Sequence, residues 1–382
     1  MGHSFLQPLP LGTSDFATLR VRNQIYVDKT ALVYEIASKT EKFFLTRPSR
    51  FGKTLLVSTF ESLFKYGLRD FKGLAIEKLW NDSGTYNVVR LDFSEAKNFQ
   101  DFDEFVLRFN GVLTAAFGPL GFVHNQKAAE PLDIQISSWL KTLPDNSLVL
   151  LIDEYDAPLT AILNNADLFN AVRVELSKFY ATVKSNDAAV RFFFMTGITK
   201  FSKTSIFSEL NHFADLSLMP EFGSLLGYTH AEVEKYFSGY LNRAVGALGL
   251  SREQLVDKLT LHYDGFCFEK SAQQHVFSPW SLLKFFSYPA DGFKNYWTES
   301  VGEPTALLQY LCSRALKSPM NFDRENTVDL EELRASSDVA EISDVALLTQ
   351  AGYLTIKAIE DDTAFVGCPN LEVKKSMACL CS

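Results

Sequence analysis

Lys53 and Thr54 close the stretch Thr46-Arg47-Pro48-Ser49-Arg50-Phe51-Gly52-Lys53-Thr54, and the pair suits phosphate chemistry. A lysine there neutralises charge on the β and γ phosphates of a nucleotide, and the next hydroxyl ligates Mg²⁺. Gly52 lets the backbone approach closely. The loop from Arg47 through Leu55 would surround phosphate oxygens, with its backbone N–H groups (Pro48 has none) and the following helix N-terminus as donors. Arg47 and Arg50 add positive charge. Arg47 also stands where an ordinary phosphate loop has its first glycine. It reads as a substituted wall of the pocket, either slowing turnover or touching the phosphate. An ordinary strand-to-helix turn holding Gly-Lys-Thr by chance is the alternative.

A second group of residues shifts the balance. Leu148-Val149-Leu150-Leu151-Ile152-Asp153-Glu154 is an apolar run ending in two acids, about 100 residues after the loop. Acids at the C-terminal end of a strand lie beside the neighbouring phosphate loop in a sheet of this kind. Asp153 would hold Mg²⁺, and Glu154 would polarise the attacking water as general base. Asp156 reads as a third acid or a helix cap. A third run, Arg191-Phe192-Phe193-Phe194-Met195-Thr196-Gly197-Ile198-Thr199-Lys200, ends in polar residues at the same sheet edge. Thr196 or Thr199 could orient the water and Lys200 could meet the γ phosphate; a strand-terminal turn with a helix cap explains them equally.

Elements that would position these groups are legible as periodicity. Strands are expected at Phe43–Thr46, Val88–Phe93, Leu148–Asp153, Val190–Thr196 and Ala214–Leu218. Near-continuous apolar runs among them suit strands covered on both faces. Helices such as Thr54–Tyr66 and Leu168–Ser185 lie between. The expected fold class is α/β, a P-loop doubly wound parallel sheet over residues 1–225. A mainly helical domain follows over 226–382, opening with the capping-box spacing Thr229…Glu232. Its helices are expected at Arg252–Tyr263, Pro279–Phe286, Thr305–Leu316 and Asp329–Ser336, with a hairpin at Tyr353–Ala358 and Thr363–Val366. Helices capped by a hairpin suggest a lid or a winged-helix module.

Bulk composition narrows the class. With 382 residues, 47% hydrophobic and 22% charged, the chain is long enough for two or three domains with substantial cores. The 33 phenylalanines predict an aromatic-rich core. A net charge of −9 argues against a whole-protein nucleic-acid coat. Five cysteines, Cys267, Cys312, Cys368, Cys379 and Cys381, form no Cys-x-x-Cys pair. Free thiols in a reduced cytoplasm are the expectation. No apolar run approaches a membrane span. Met1-Gly2-His3-Ser4 imitates a myristoylation start, but Leu6 takes the required Ser/Thr position. Cys379-Leu380-Cys381-Ser382 fits a prenylation box only loosely.

The ordered motifs resemble the bacterial AAA-ATPase-like proteins, which often carry a C-terminal PD-(D/E)XK-type nuclease domain. The likeness lies in Leu9–Phe16, Tyr26-Val27-Asp28-Lys29-Thr30, Arg47–Thr54, Ile152-Asp153-Glu154-Tyr155-Asp156, Thr196–Ser202 and Gly352-Tyr353-Leu354-Thr355-Ile356. It spans residues 7 to about 376. The family loop has the form Arg-Pro-x-Arg-Phe-Gly-Lys-[Ser/Thr], so the resemblance makes the missing glycine a family trait. It implies ATP and Mg²⁺ as ligands and kinship with switch-type signal-transducing ATPases. It would also bring Asp28, Lys29 and Thr30 near the base.

The nuclease domain is the point of departure. Asp362 followed by Glu372-Val373-Lys374 imitates that domain's metal site. Pro369, however, interrupts the strand that should carry Glu372, and too little chain follows for a nuclease sheet. A short form without the effector domain is expected. The leading expectation is therefore a slow, Mg²⁺-dependent switch ATPase. Alternatives are an ATP-binding recruitment module with negligible turnover, or a nucleic-acid-directed partner of a nuclease. A homo-oligomer is compatible with each.

Overall fold

In the computed structural model, residues 6–201, 213–297, 307, 310, 326–334 and 343–380 are described. The expected helix at Thr305–Leu316 lies outside these residues except at positions 307 and 310. Leu148–Asp153 (β3) is buried at all six positions, because it lies inside a sheet covered on both faces. Asn87–Asp92 (β2) alternates instead, with Val89 and Leu91 inward, as an edge strand does. Lys42–Thr46 (β1), Val190–Gly197 (β4) and Phe213–Asp215 (β5) complete a five-stranded sheet in the order β2-β3-β4-β1-β5. Every pair in it is parallel. β4 therefore lies between the loop strand and the acidic strand, which sequence order alone does not show. The acids end at the loop's edge of the sheet, one strand further away than an adjacent pairing would put them.

Helices Phe16–Val21 (α1), Thr30–Ala37 (α2), Lys53–Tyr66 (α3), Phe102–Phe117 (α4), Leu132–Leu140 (α5), Ala157–Thr160 (α6) and Ala166–Ser185 (α7) alternate with the strands. α3 lies across β2, β3 and β4. It buries Phe60 against Phe192 and Phe194, with ring centroids 5.1 and 4.9 Å apart. Phe64 meets Phe192 at 4.7 Å, so the core is aromatic where α3 crosses the sheet.

Helices His230–Tyr236 (α8), Ser238–Leu248 (α9), Arg252–Tyr263 (α10) and Pro279–Ser287 (α11) form the second region. α8 and α10 each start on a complete capping box, Thr229 with Glu232 and Ser251 with Gln254. Phe237, Leu241, Leu255, Phe285 and Phe286 build a separate core, which also takes Ile25 and Val27 from the N-terminal segment. That segment thus packs on both sides of the 225/226 division. The strands Phe266–Cys267 (β6) and His275–Val276 (β7) form a small antiparallel pair before α11.

Near the C-terminus, Asn326–Asp329 is a strand (β8), where the sequence suggested a helix beginning at Asp329. The helix starts one residue later, at Leu330–Arg334 (α12), with Glu331 N bonded to Asp329 Oδ1 at 2.7 Å. Asp344–Gln350 (α13), Thr355–Glu360 (β9), Thr363–Gly367 (β10) and Leu371–Leu380 (α14) follow. The sheet order β8-β10-β9, with α12 and α13 between β8 and β9, is winged-helix connectivity. This module shares the core of the parallel sheet through Val328, Leu347, Leu354 and Val366.

Candidate nucleotide site

The loop after β1 is built as a strand-to-helix turn with two left-handed residues. Gly52 has φ 100 and caps α3, a conformation that favours glycine. Arg50 adopts φ 66 without being glycine. Lys53, buried at the first turn of α3, donates from Nζ to Arg47 O and Pro48 O, 3.0 Å each. Burial lowers its pKa, opposed by Glu154, Asp153 and Asp156.

β3 brings the two acids to the same edge. Asp153 Oδ1 accepts from Glu154 N at 3.1 Å, while Oδ2 is buried with no hydrogen-bond partner among the described residues. Burial raises the Asp153 pKa against the pull of the Thr54 hydroxyl and Lys53. An orphaned carboxylate oxygen beside a hydroxyl is a donor set that fits a hard divalent cation. Glu154 sits at φ 48, another left-handed non-glycine. Burial raises its pKa, Lys53 lowers it, and Asp156 and Asp153 raise it further.

A cleft of about 630 Å³ opens over this edge. Ser49 through Leu55 and Glu154 form its floor. Its walls come from the N-terminal segment (Leu11, Tyr26), the stretch Leu225–Tyr228, and Pro279, Trp280 and Leu283 of α11. This volume is in the range of small-molecule sites. None of the wall residues of α11 was singled out in the sequence; only the helix was. Lys29 also lines the cleft, but its Nζ is paired with Glu232 Oε2 at 2.6 Å. Asp28 ties its segment to a distant turn, accepting from Thr30 N at 2.9 Å and Ala75 N at 2.8 Å.

Several candidate residues lie elsewhere. The Arg47 guanidinium turns away from the cleft, beneath the loop. It donates to Thr46 O (2.9 Å), Ser217 O (2.8 Å) and Phe222 O (3.1 Å), and lies 4.6 Å from the Phe268 ring centroid. Burial pulls its pKa down to about 10, so it stays charged near neutrality. Pro48 faces the winged module, where a Cβ on Gly352 would come within 2.6 Å of Pro48 Cγ. Thr196 donates within the sheet to Leu45 O at 2.7 Å. Thr199 donates from Oγ1 to Asp156 Oδ2 at 2.6 Å. Lys200 pairs with Asp215 at 2.6 Å on the far side of the loop strand. Burial alone would raise the Asp215 pKa, but Lys200 and Ser217 outweigh it and hold it low.

Asp156 takes the N-cap position of α6 without a side-chain cap bond, and it does not line the cleft. Its carboxylate accepts from Ile198 N (3.1 Å) and Thr199 N (2.7 Å), fastening the end of β4 to β3. Gly197 permits this, because a Cβ there would lie 2.4 Å from Asp156 Oδ1. The nuclease-like constellation is not assembled. Glu372 is on α14 rather than a strand, and accepts from Ser281 Oγ (2.8 Å), Tyr296 N (2.6 Å) and Trp297 N (2.9 Å). Glu372→Ala is expected to cost about 2–4 kcal/mol by orphaning those buried donors. Denaturant unfolding of the variant checks this, and an unchanged midpoint would refute the structural role.

A parallel sheet with β4 between loop strand and acidic strand, and Gly-Lys-Thr opening α3, defines a P-loop-like α/β fold. The chain belongs to the AAA-ATPase-like family: the family profile described as Predicted AAA-ATPase matches residues 10–207. A protein of Azotobacter chroococcum mcd 1, described as an uncharacterized protein in the vnfD 5′ region, is 32% identical over 374 residues. The match covers 97% of this chain and 69% of that protein. Among solved structures, the Aeropyrum pernix ORC2 protein, titled as ADPNP-ADP complexes, aligns over 100% of this chain and 98% of its own. Identity is 12% and the TM-score 0.32. Among the described residues, no helix is long and apolar enough to cross a membrane.

Proposed function

We propose that the protein binds Mg²⁺–ATP in the cleft over Ser49–Leu55 and hydrolyses it slowly, as a nucleotide-driven switch. The observation that carries this reading is the meeting of Lys53, Thr54, Asp153 and Glu154 at one sheet edge under a cleft of about 630 Å³. Lys53 would exchange its two carbonyl partners for phosphate oxygens. The N–H groups at the start of α3 would bind the same anion. Thr54 and Asp153 Oδ2 would hold Mg²⁺, which supplies charge neutralisation at the β and γ oxygens. Glu154 would take the proton of the attacking water. The wall formed by α11 supports a lid role for the helical region. Lys53→Ala is expected to weaken Mg²⁺–ATP binding roughly 10–100-fold, for loss of charge-assisted bonds. Isothermal titration calorimetry reads it; unchanged affinity, or no binding by wild type, sinks the proposal.

A recruitment module with negligible turnover is the second reading. It is favoured by Thr196, Thr199 and Lys200 having protein partners away from the cleft, so none of these residues of β4 and the turn after it assists Glu154. Phosphate release no faster than in Glu154→Gln would decide for it. A nucleic-acid role finds less support. The tip between β9 and β10 is Glu360-Asp361-Asp362, which repels phosphate. α13 buries Ala346, Leu347 and Leu348 against the core, and Gln350 Oε1 accepts from Lys200 N at 3.1 Å.

A further inference from the structure

Arg50 is placed unlike the other cations of the loop. Lys53 and Arg47 are buried and hydrogen-bonded, whereas Arg50 lines the cleft and is exposed. Among the described residues its guanidinium has no hydrogen bond or ion pair; its contact is an aromatic ring. The guanidinium carbon lies 4.0 Å from the centroid of Trp280, at the second residue of α11. Lys284 Nζ lies 5.1 Å from the same ring, so two cations share one indole. Trp280 itself has a buried Nε1 without a partner among the described residues. The left-handed backbone of Arg50 is uncommon for a residue with a Cβ, and is retained where the surroundings hold it.

Only Phe51 and Gly52 separate Arg50 from Lys53, so one long side chain has two destinations. It can stack on the lid, or reach an anion lying over the loop. A planar guanidinium binds phosphate through paired, charge-assisted bonds, which are stronger than an exposed cation–π contact. In the proposed binding mode Lys53 and the start of α3 already hold a diphosphate, and Arg50 would join Lys53 only at a terminal phosphate. A diphosphate therefore leaves Arg50 on the indole, and a triphosphate competes for it.

We propose that Arg50 discriminates nucleoside triphosphate from diphosphate, leaving the Trp280 ring for the terminal phosphate and so uncoupling α11 from the loop. This rests on the nucleotide reading of the cleft. It adds the element that reads the phosphate count and the contact through which the lid is told.

The test uses the full chain and two measurements. Intrinsic fluorescence of wild type minus Trp280→Phe isolates the Trp280 emission during titration with a non-hydrolysable Mg²⁺–ATP analogue or with ADP. Calorimetry in parallel gives both affinities. The expected result is a change in Trp280 emission with the triphosphate and none at saturating ADP. Arg50→Ala is expected to lose roughly tenfold more in triphosphate affinity than in ADP affinity, and to lose the emission change. The same emission change with both nucleotides, or an unaltered triphosphate preference in Arg50→Ala, overturns the inference while leaving the nucleotide site intact. Absence of any nucleotide binding in calorimetry overturns the site reading first, and the inference with it.

Discussion

Glu154→Gln is expected to bind Mg²⁺–ATP as wild type does and to lose roughly 10²–10⁴-fold in turnover, the usual contribution of a positioned general base. The amide keeps the shape of the side chain but cannot accept the proton of water. The geometry gives the carboxylate little else to do: it lines the cleft at the end of β3, and no described residue donates a hydrogen bond to it. Its pH behaviour follows from its surroundings. Burial pushes its pKa above the ordinary 4.5, Lys53 pulls it back, and Asp156 and Asp153 push it up again, for a net rise. A base works only when ionised. Turnover is therefore low below the raised pKa, increases as pH climbs through it, and levels off above. The acid limb should lie above that of a solvated glutamate, and Glu154→Gln should lack it. Steady-state phosphate release against pH measures both. A variant as fast as wild type, or an acid limb at or below the ordinary glutamate value, would remove Glu154 from the mechanism.

What could be read in the sequence follows from what periodicity encodes. Burial on both faces makes an apolar run, so β3 was legible end to end at Leu148–Asp153. α10 was legible at Arg252–Tyr263, where Ser251 and Gln254 mark its start through a local capping box. Chain position also put Lys53, Thr54 and the two acids at one edge, because strand ends in a parallel sheet share an edge. Side-chain direction was not legible. Lys200 follows the right strand at the right edge, yet its partner Asp215 is on β5, two strands from β4 across β1. Thr199 is occupied by Asp156, forty-three residues earlier, which no local pattern announces. β8 was hidden for another reason: Asn326-Thr327-Val328-Asp329 is mostly polar and is a strand only because it pairs with β10. Trp280 reaches the cleft through packing of α11, a tertiary fact without a sequence signature.

Arg47→Gly, which restores the first glycine of an ordinary phosphate loop, is expected to destabilise the protein by about 3–5 kcal/mol rather than improve the site. Motif logic alone says the reverse. The backbone at Arg47 is not among the left-handed positions, so nothing in its conformation calls for glycine. The side chain fills space behind the loop at 2% exposure and joins three segments through carbonyls: Thr46 at the loop's root, Ser217 after β5, and Phe222 near the start of the helical region. Glycine leaves a cavity, orphans the Ser217 and Phe222 acceptors, and adds backbone entropy to the unfolded chain. Arg47→Lys should recover only part of the loss, since an ammonium cannot span the same acceptors or lie flat on Phe268. Because the same arginine sets the underside of the loop, Arg47→Gly should also bind Mg²⁺–ATP less tightly, through displacement of Pro48 and Lys53 rather than loss of a phosphate contact. Thermal unfolding with and without nucleotide separates the two effects. A melting temperature within a degree or so of wild type would show that the guanidinium is not a strut, whereas a drop of roughly 5 °C or more is the expected reading.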